Sequence, residues 1–203
     1  MSAEPLFTIG HSNHHISKFL ELLRQHKIDV LVDVRSKPQS GRNPQYNKEP
    51  LKESLAQEGI KYLFLGKELG ARRSEKEAYE GAVASYERIA TLPAFREGLD
   101  RVVQGTESYR IALMCAEKEP LDCHRTLLVC RHLRNALAHR ILHILANGTV
   151  EAHEDTECRL IEGVGLSADQ HEMFSGTDEA PLDRAYRKRG LAVAYREEPR
   201  DEH

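Results

Sequence analysis

No stretch of this chain is long and apolar enough to cross a membrane, and its start lacks a basic segment followed by an apolar one. Both absences argue against membrane-embedded and exported proteins, so no membrane partner is expected and the cytoplasm is the expected location. Cysteine is scarce. The 4 cysteines stand at uneven spacing, which forms no disulfide framework and suits a reducing compartment. No internal repeat and no low-complexity tract stands out, which argues against solenoids and biased linkers. A charge excess is also missing, since 29 Lys and Arg face 32 Asp and Glu for a net charge of −3. A protein that coats nucleic acid without specificity is more basic, so nucleic acid remains an expected partner only through a local basic patch.

What is present is enough for a core. The chain has 203 residues, 40% hydrophobic and 30% charged, which fits one domain with an appendage. Short apolar, β-branched runs at Leu6–Ile9, Val30–Asp33, Lys61–Leu65, Ile111–Cys115 and Arg140–Leu145 read as strands. Between them lie helical stripes. Ile16, Phe19, Leu20 and Leu23 form one, and Leu51 with Leu55 form another that Gly59 ends as a C′ glycine. A third is Tyr79, Ala82, Val83 and Tyr86, and a fourth is Phe95, Leu99, Val102 and Val103. The segment opened by Asp122 to Arg125 reads as a long helix with Cys130 in the core. Asn147-Gly148 is a hairpin signal, and Thr149–His153 is a candidate antiparallel edge strand. Strands alternating with helices predict a three-layer, Rossmann-like α/β fold. Its sheet would be mostly parallel and five-stranded, with helices on both faces and strand order 3-2-1-4-5. Residues 1–160 are expected to be the α/β domain and 161–203 a polar, partly mobile C-terminal extension.

Chemistry-bearing side chains gather where strands end, the usual place for a site in such folds. The turn from Cys115 to Arg125 is one wall of the expected crevice and Gly10–Asn13 the other. Ser36–Pro50 is a long loop whose Lys37, Arg42, Tyr46, Asn47 and Lys48 could reach an anionic or flat ligand. His11 is either an acid/base group or a tie between loops, and Glu117 is the other acid/base group. Asp33 and Arg35 point to one face, as a mutual salt bridge or as polar groups at the mouth of the sheet. Cys115 reads first as a packed strand end. Cys123, beside His124 and Arg125 at a helix start, is a candidate nucleophile. Arg125 with the nearby amides would make an anion site, or Asp122 caps the helix and Arg125 pairs with Glu117 or Asp33. Lys118 reads as a solvated surface lysine. The Cys and His spacing matches no closed zinc pattern, so no residue is assigned as a metal ligand and no motif names a cofactor.

Thr8-Ile-Gly-His-Ser12, Asp33-Val-Arg35, Leu69-Gly-Ala-Arg72, Cys115-Ala-Glu-Lys118, Cys123-His-Arg125 and His143-Ile-Leu-Ala-Asn-Gly148 together resemble the DUF488 family, a bacterial and archaeal domain of unknown function. The resemblance covers roughly residues 5–155. It implies a single α/β domain and a shared site at the strand ends, and it implies no reaction. The expected function is that of a hydrolase or group-transfer enzyme acting on a phosphate-bearing small molecule, nucleotide or nucleic acid. Glu117 and His11, with Cys123, would be the catalytic groups. Arg125 and Arg35 would bind the anion, and Ser12, Asn13, Asp33, Cys115 and His124 would complete the ligand site. The alternatives are a non-catalytic ligand- or nucleic-acid-binding module, and a metal or redox protein using Cys115, Cys123 and His11.

Overall fold

The computed structural model describes residues 4–166 and 179–197. A mixed sheet forms its middle layer, built from β1 (Leu6–Gly10), β2 (Val30–Asp33), β3 (Lys61–Phe64), β6 (Ile111–Cys115), β7 (Ile141–Ile144) and β8 (Val150–Ala152). Their order is β3-β2-β6-β1-β7-β8, with every pair parallel except β7 and β8. The expected order 3-2-1-4-5 is therefore wrong at one point. The fourth of the expected strands, here β6, inserts between β2 and β1 instead of lying outside β1. All residues of β6 and β1 are buried, whereas β3 and β8 carry exposed positions. Strands apolar on both faces belong where helices cover both faces. The sheet has 6 strands because the candidate edge strand does pair, antiparallel, behind the turn at Gly148 (φ +90°).

Alternation along the strands divides the core in two. Phe7, Ile9, Leu31, Ala112, Met114 and Ile144 face one side, where α1 (Ile16–Gln25) and α2 (Lys48–Gln57) cover them with Phe19, Leu22, Leu23, Leu51 and Leu55. Leu6, Val30, Val32, Ile111, Leu113 and Ile141 face the other. There they meet α3 (Gly66–Leu69), α4 (Tyr86–Thr91), α5 (Pro93–Thr106), α6 (Arg131–Leu133) and α7 (His153–Gly163). Among the described residues, no helix is long and apolar enough to cross a membrane.

Two local expectations fail. The stripe Tyr79 to Tyr86 is not a helix but a small hairpin, β4 (Tyr79–Glu80) against β5 (Val83–Ala84), followed by α4. Gly81 at φ +60° makes the turn, a conformation that breaks a helix and suits a glycine. The segment after Asp122 is not one long α-helix either. A 3-10 turn at Pro120–Asp122 leads to Cys123 in an extended conformation, then to a π-helical segment at Arg125–Cys130 and to α6. Arg125 through Cys130 are all buried, so this segment is covered on every side and runs through the interior.

Within the segment expected to be a polar extension, Pro181–Val193 forms helix α8, whose Ala185 and Tyr186 join the core. Residues 167–178 and 198–203 of that segment lie outside the described residues. Tyr186 ends a buried string of hydrogen bonds that starts near the strand ends. Arg125 Nε donates to Thr8 Oγ1 (3.4 Å), which meets His143 Nδ1 (2.7 Å). His143 Nε2 meets His153 Nδ1 (3.0 Å), His153 Nε2 meets the Tyr186 hydroxyl (3.1 Å), and that hydroxyl donates to Glu157 (2.6 Å). Guanidinium can only donate and carboxylate only accept, so both tautomers are assigned: each imidazole accepts at Nδ1 and donates at Nε2. Burial lowers both imidazole pKa values, which keeps the rings neutral as this arrangement requires.

Candidate functional site

The carboxyl ends of β2, β6 and β1 lie side by side because β6 runs between the other two. Asp33, Cys115 and Gly10 are the last residues of these strands. Above them opens a cleft of about 900 Å³. Gly10 is required by close approach, since a Cβ there would sit 1.9 Å from the carbonyl oxygen of Glu117. The sharp turn after β1 is made by Ser12, a non-glycine residue at φ 50°. That strain is held by backbone hydrogen bonds, the His11 N–H donating to the Cys115 carbonyl and the Ser12 N–H to the Ala116 carbonyl (both 2.9 Å).

His11, Asp33 and Arg35 form one polar group, and Tyr46 and Tyr62 close it. Arg35 binds Asp33 through two parallel contacts, Nε to Oδ1 (2.9 Å) and Nη2 to Oδ2 (2.7 Å). Tyr62 donates to the same carboxylate (2.8 Å), and Arg35 donates to the Tyr46 carbonyl (2.8 Å). The Tyr46 ring is fully buried and stacks on His11 at 4.1 Å between centroids. Tyr46 is thus a support for His11, not the ligand contact expected of that loop. His11 is 2% exposed. Its Nδ1 lies 2.8 Å from the Ser12 carbonyl and its Nε2 lies 3.2 Å from Arg35 Nη1. The carbonyl needs a proton on Nδ1 and the guanidinium needs a lone pair on Nε2, so this ring is neutral. Burial, then the Arg35 charge, lowers its pKa to about 4.

Cys115, Glu117, Cys123 and His124 form the second group, with one donor atom from each lying within 4.8 Å of all the others. Cys123 Sγ is 3.0 Å from Glu117 Oε2, and Cys115 Sγ is 3.5 Å from His124 Nδ1. His124 Nε2 contacts the Val34 carbonyl at 3.0 Å, and the Arg125 amide approaches Cys123 Sγ at 3.4 Å. His11 does not belong to this cluster, so the trio Cys115, Cys123 and His11 does not form. Burial opposes the thiolate of Cys123. Its hydrogen bond with Cys115 and the Arg125 charge outweigh that and hold the thiol well below its ordinary value. Burial raises Cys115 strongly. Loss of water around the Glu117 carboxyl, then the negative charge of Cys123, raises Glu117. Cys130 is fully buried with a raised pKa, as a core thiol should be.

The other expected site residues separate by position. Ser12, Asn13, Arg35, Cys115, Glu117 and His124 line the cleft. Arg125 is wholly buried beneath it and binds the carbonyls of Glu117 (2.7 Å) and Lys118 (3.4 Å). These contacts fasten the Glu117 loop, and Arg125 does not line the cleft. Asp33 is also wholly buried and holds Arg35. Sequence reasoning missed Tyr86, Tyr195 and Lys118, all of which line the cleft. Lys118 carried a signal, standing between two candidate groups in the Cys115–Arg125 turn. Tyr195 carried none, because only the path of α8 brings it back over Arg72, whose guanidinium stacks on its ring at 4.5 Å.

A model of the family described as domain of unknown function DUF488 matches residues 15–131. The chain belongs to the DUF488 family. The DUF488 match contains Asp33, Arg35, Cys115, Glu117, Cys123, His124 and Arg125. His11 and the His143–Gly148 segment lie outside it. Comparison with curated proteins and with solved structures returned no match.

Proposed function

We propose that the cleft takes a phosphate-bearing small molecule or nucleotide and that this DUF488 protein is an enzyme acting on it by hydrolysis or group transfer. The charge distribution carries the reading. Lys37, Arg42, Arg72 and Lys118 line the cleft beside Arg35, whose charge Asp33 matches; the acidic lining is Glu117 and Asp122, and Asp122 pairs with Arg189. A concave surface of one sign concentrates a ligand of the other, and guanidinium and ammonium groups suit phosphate oxygens. Lys118, Arg42 and Arg72 hold the anion in this reading. Arg125 anchors the loop that presents Glu117, and His11 positions Arg35. Glu117, with its raised pKa, gives a proton to the leaving group or takes one from the attacking group at the floor of the cleft.

Titration calorimetry with inorganic phosphate, pyrophosphate and mononucleotides at low salt tests the reading. Saturable binding is expected, weakening with salt. It should fall about tenfold or more in an Arg42→Ala, Lys118→Ala double variant, because charge-assisted hydrogen bonds are lost. Glu117→Gln should keep binding and lose turnover of a chromogenic phosphoester. Absence of binding by all of these probes at low ionic strength overturns the proposal.

A further inference from the structure

We propose that Cys115, Cys123 and His124, with Glu117 as the donor on the cleft side, hold a zinc ion. The inference does not depend on the phosphate reading, since zinc could bind here whatever the cleft accepts. It begins from geometry. Tetrahedral zinc with bonds of about 2.0–2.3 Å places its ligands about 3.3–3.8 Å apart. The 3.0 Å between Cys123 Sγ and Glu117 Oε2 and the 3.5 Å between Cys115 Sγ and His124 Nδ1 lie close to that spacing. All four donors are mutually within 4.8 Å.

The surroundings are those of a ligand set. A zinc-bound imidazole donates its other ring N–H to a carbonyl or carboxylate, which fixes the tautomer and aims the lone pair. His124 does this through Nε2 to the Val34 carbonyl at 3.0 Å, leaving Nδ1 toward Cys115. The Arg125 amide aims at Cys123 Sγ, an acceptor that improves as a thiolate. Charge supplies an independent reason. Arg125 is 0% exposed and makes no ion pair with a carboxylate among the described residues. A buried cation is costly unless anionic groups lie close by, and the thiolate and carboxylate ligands of a zinc ion would lie beside it. Thiolate and imidazole donors select zinc over magnesium or calcium. A carboxylate at the open edge is the ligand that water or a substrate oxygen would displace. The sequence hides this set because it has no tight Cys-x₂-Cys pair. The strand end holds Cys115 and the turn after Pro120 returns Cys123 and His124 to it.

Elemental analysis of the full chain, purified without chelator under reducing conditions, should find about one zinc per chain. Replacement by Co²⁺ should give thiolate-to-cobalt charge-transfer bands and visible d–d bands of tetrahedral intensity. This second reading uses the wild-type chain, so it survives any folding failure of a variant. Cys123→Ser and His124→Ala should lose the metal, and Cys158→Ser, which alters an exposed thiol away from the cluster, should keep it. Glu117→Gln should weaken zinc and leave the cobalt–thiolate bands. The proposal is overturned by iron in place of zinc or by a Cys115–Cys123 disulfide in the freshly purified protein. It is equally overturned by absence of zinc as purified together with absence of cobalt–thiolate bands after loading. Phosphate binding by a chain that carries no zinc as purified and gives no cobalt–thiolate bands would sink this inference and leave the functional reading intact; zinc without any anion binding would do the reverse.

Discussion

Acidification should destabilise the protein through His11. The ring sits between a carbonyl that needs its Nδ1 proton and an arginine that needs its Nε2 lone pair. A second proton must enter at Nε2, which breaks the Arg35 contact and sets one cation against another in a buried site. In the unfolded chain the same ring titrates at its ordinary 6.5, against about 4 in the fold. Between those values the unfolded state binds a proton that the native state refuses, so stability falls as pH drops from 6.5 toward 4 and is fully present above 6.5. The gap is worth about 3 kcal/mol, or roughly 6–12 °C in Tm for a chain of this size. Urea unfolding of wild type and His11→Gln across pH 4 to 7 isolates the contribution, because the other histidines are common to both. The wild type should lose about 3 kcal/mol more than the variant over this range. Parallel stability curves, or a His11 ring that titrates near 6.5 by NMR in the folded protein, would refute the reasoning.

Two further substitutions test how the loops are held. Gly10→Ala forces a Cβ into the Glu117 carbonyl. Backbone must move, so a loss of about 3 kcal/mol or more is expected in denaturant unfolding, at the upper end of overpacking costs; a change below about 1 kcal/mol would contradict the close approach. Arg125→Lys keeps a charge and loses the fork that binds the Glu117 and Lys118 carbonyls. It should cost about 2–4 kcal/mol and release the Glu117 loop, read as faster amide exchange at Glu117 and Lys118.

Strong periodic signals made much of the fold legible. The apolar runs located the strands of the main sheet, Gly59 at φ +72° ended its helix as expected, and the Asn147-Gly148 turn returned β8 against β7. Strand order was not legible, because sequence proximity favours β1 beside β2, and only three-dimensional covering of both faces puts β6 between them. The π-helical segment at Arg125–Cys130 was hidden for a related reason. Its residues are apolar enough for an α-helix, and no residue in the run marks the wider turn. At the site, Cys115, Glu117, Cys123, His124 and His11 were all legible as strand-end residues. Their partition into two groups was not, since it depends on which strand ends adjoin. Arg125 illustrates the limit best: residue type announced an anion-binding group, and its position made it an anchor for backbone carbonyls.

The buried string from Arg125 through Thr8, His143, His153 and Tyr186 to Glu157 has a direction. An obligatory donor at one end and an obligatory acceptor at the other leave each group between them a single proton arrangement. The Glu157 carboxylate also lies 3.5 Å from His153 Nε2, so it favours the same tautomer directly as well as through the Tyr186 hydroxyl. Helix α8 thereby takes part in setting the tautomers of two buried imidazoles, in a string that ends beneath the cleft at the hydroxyl that Arg125 Nε approaches.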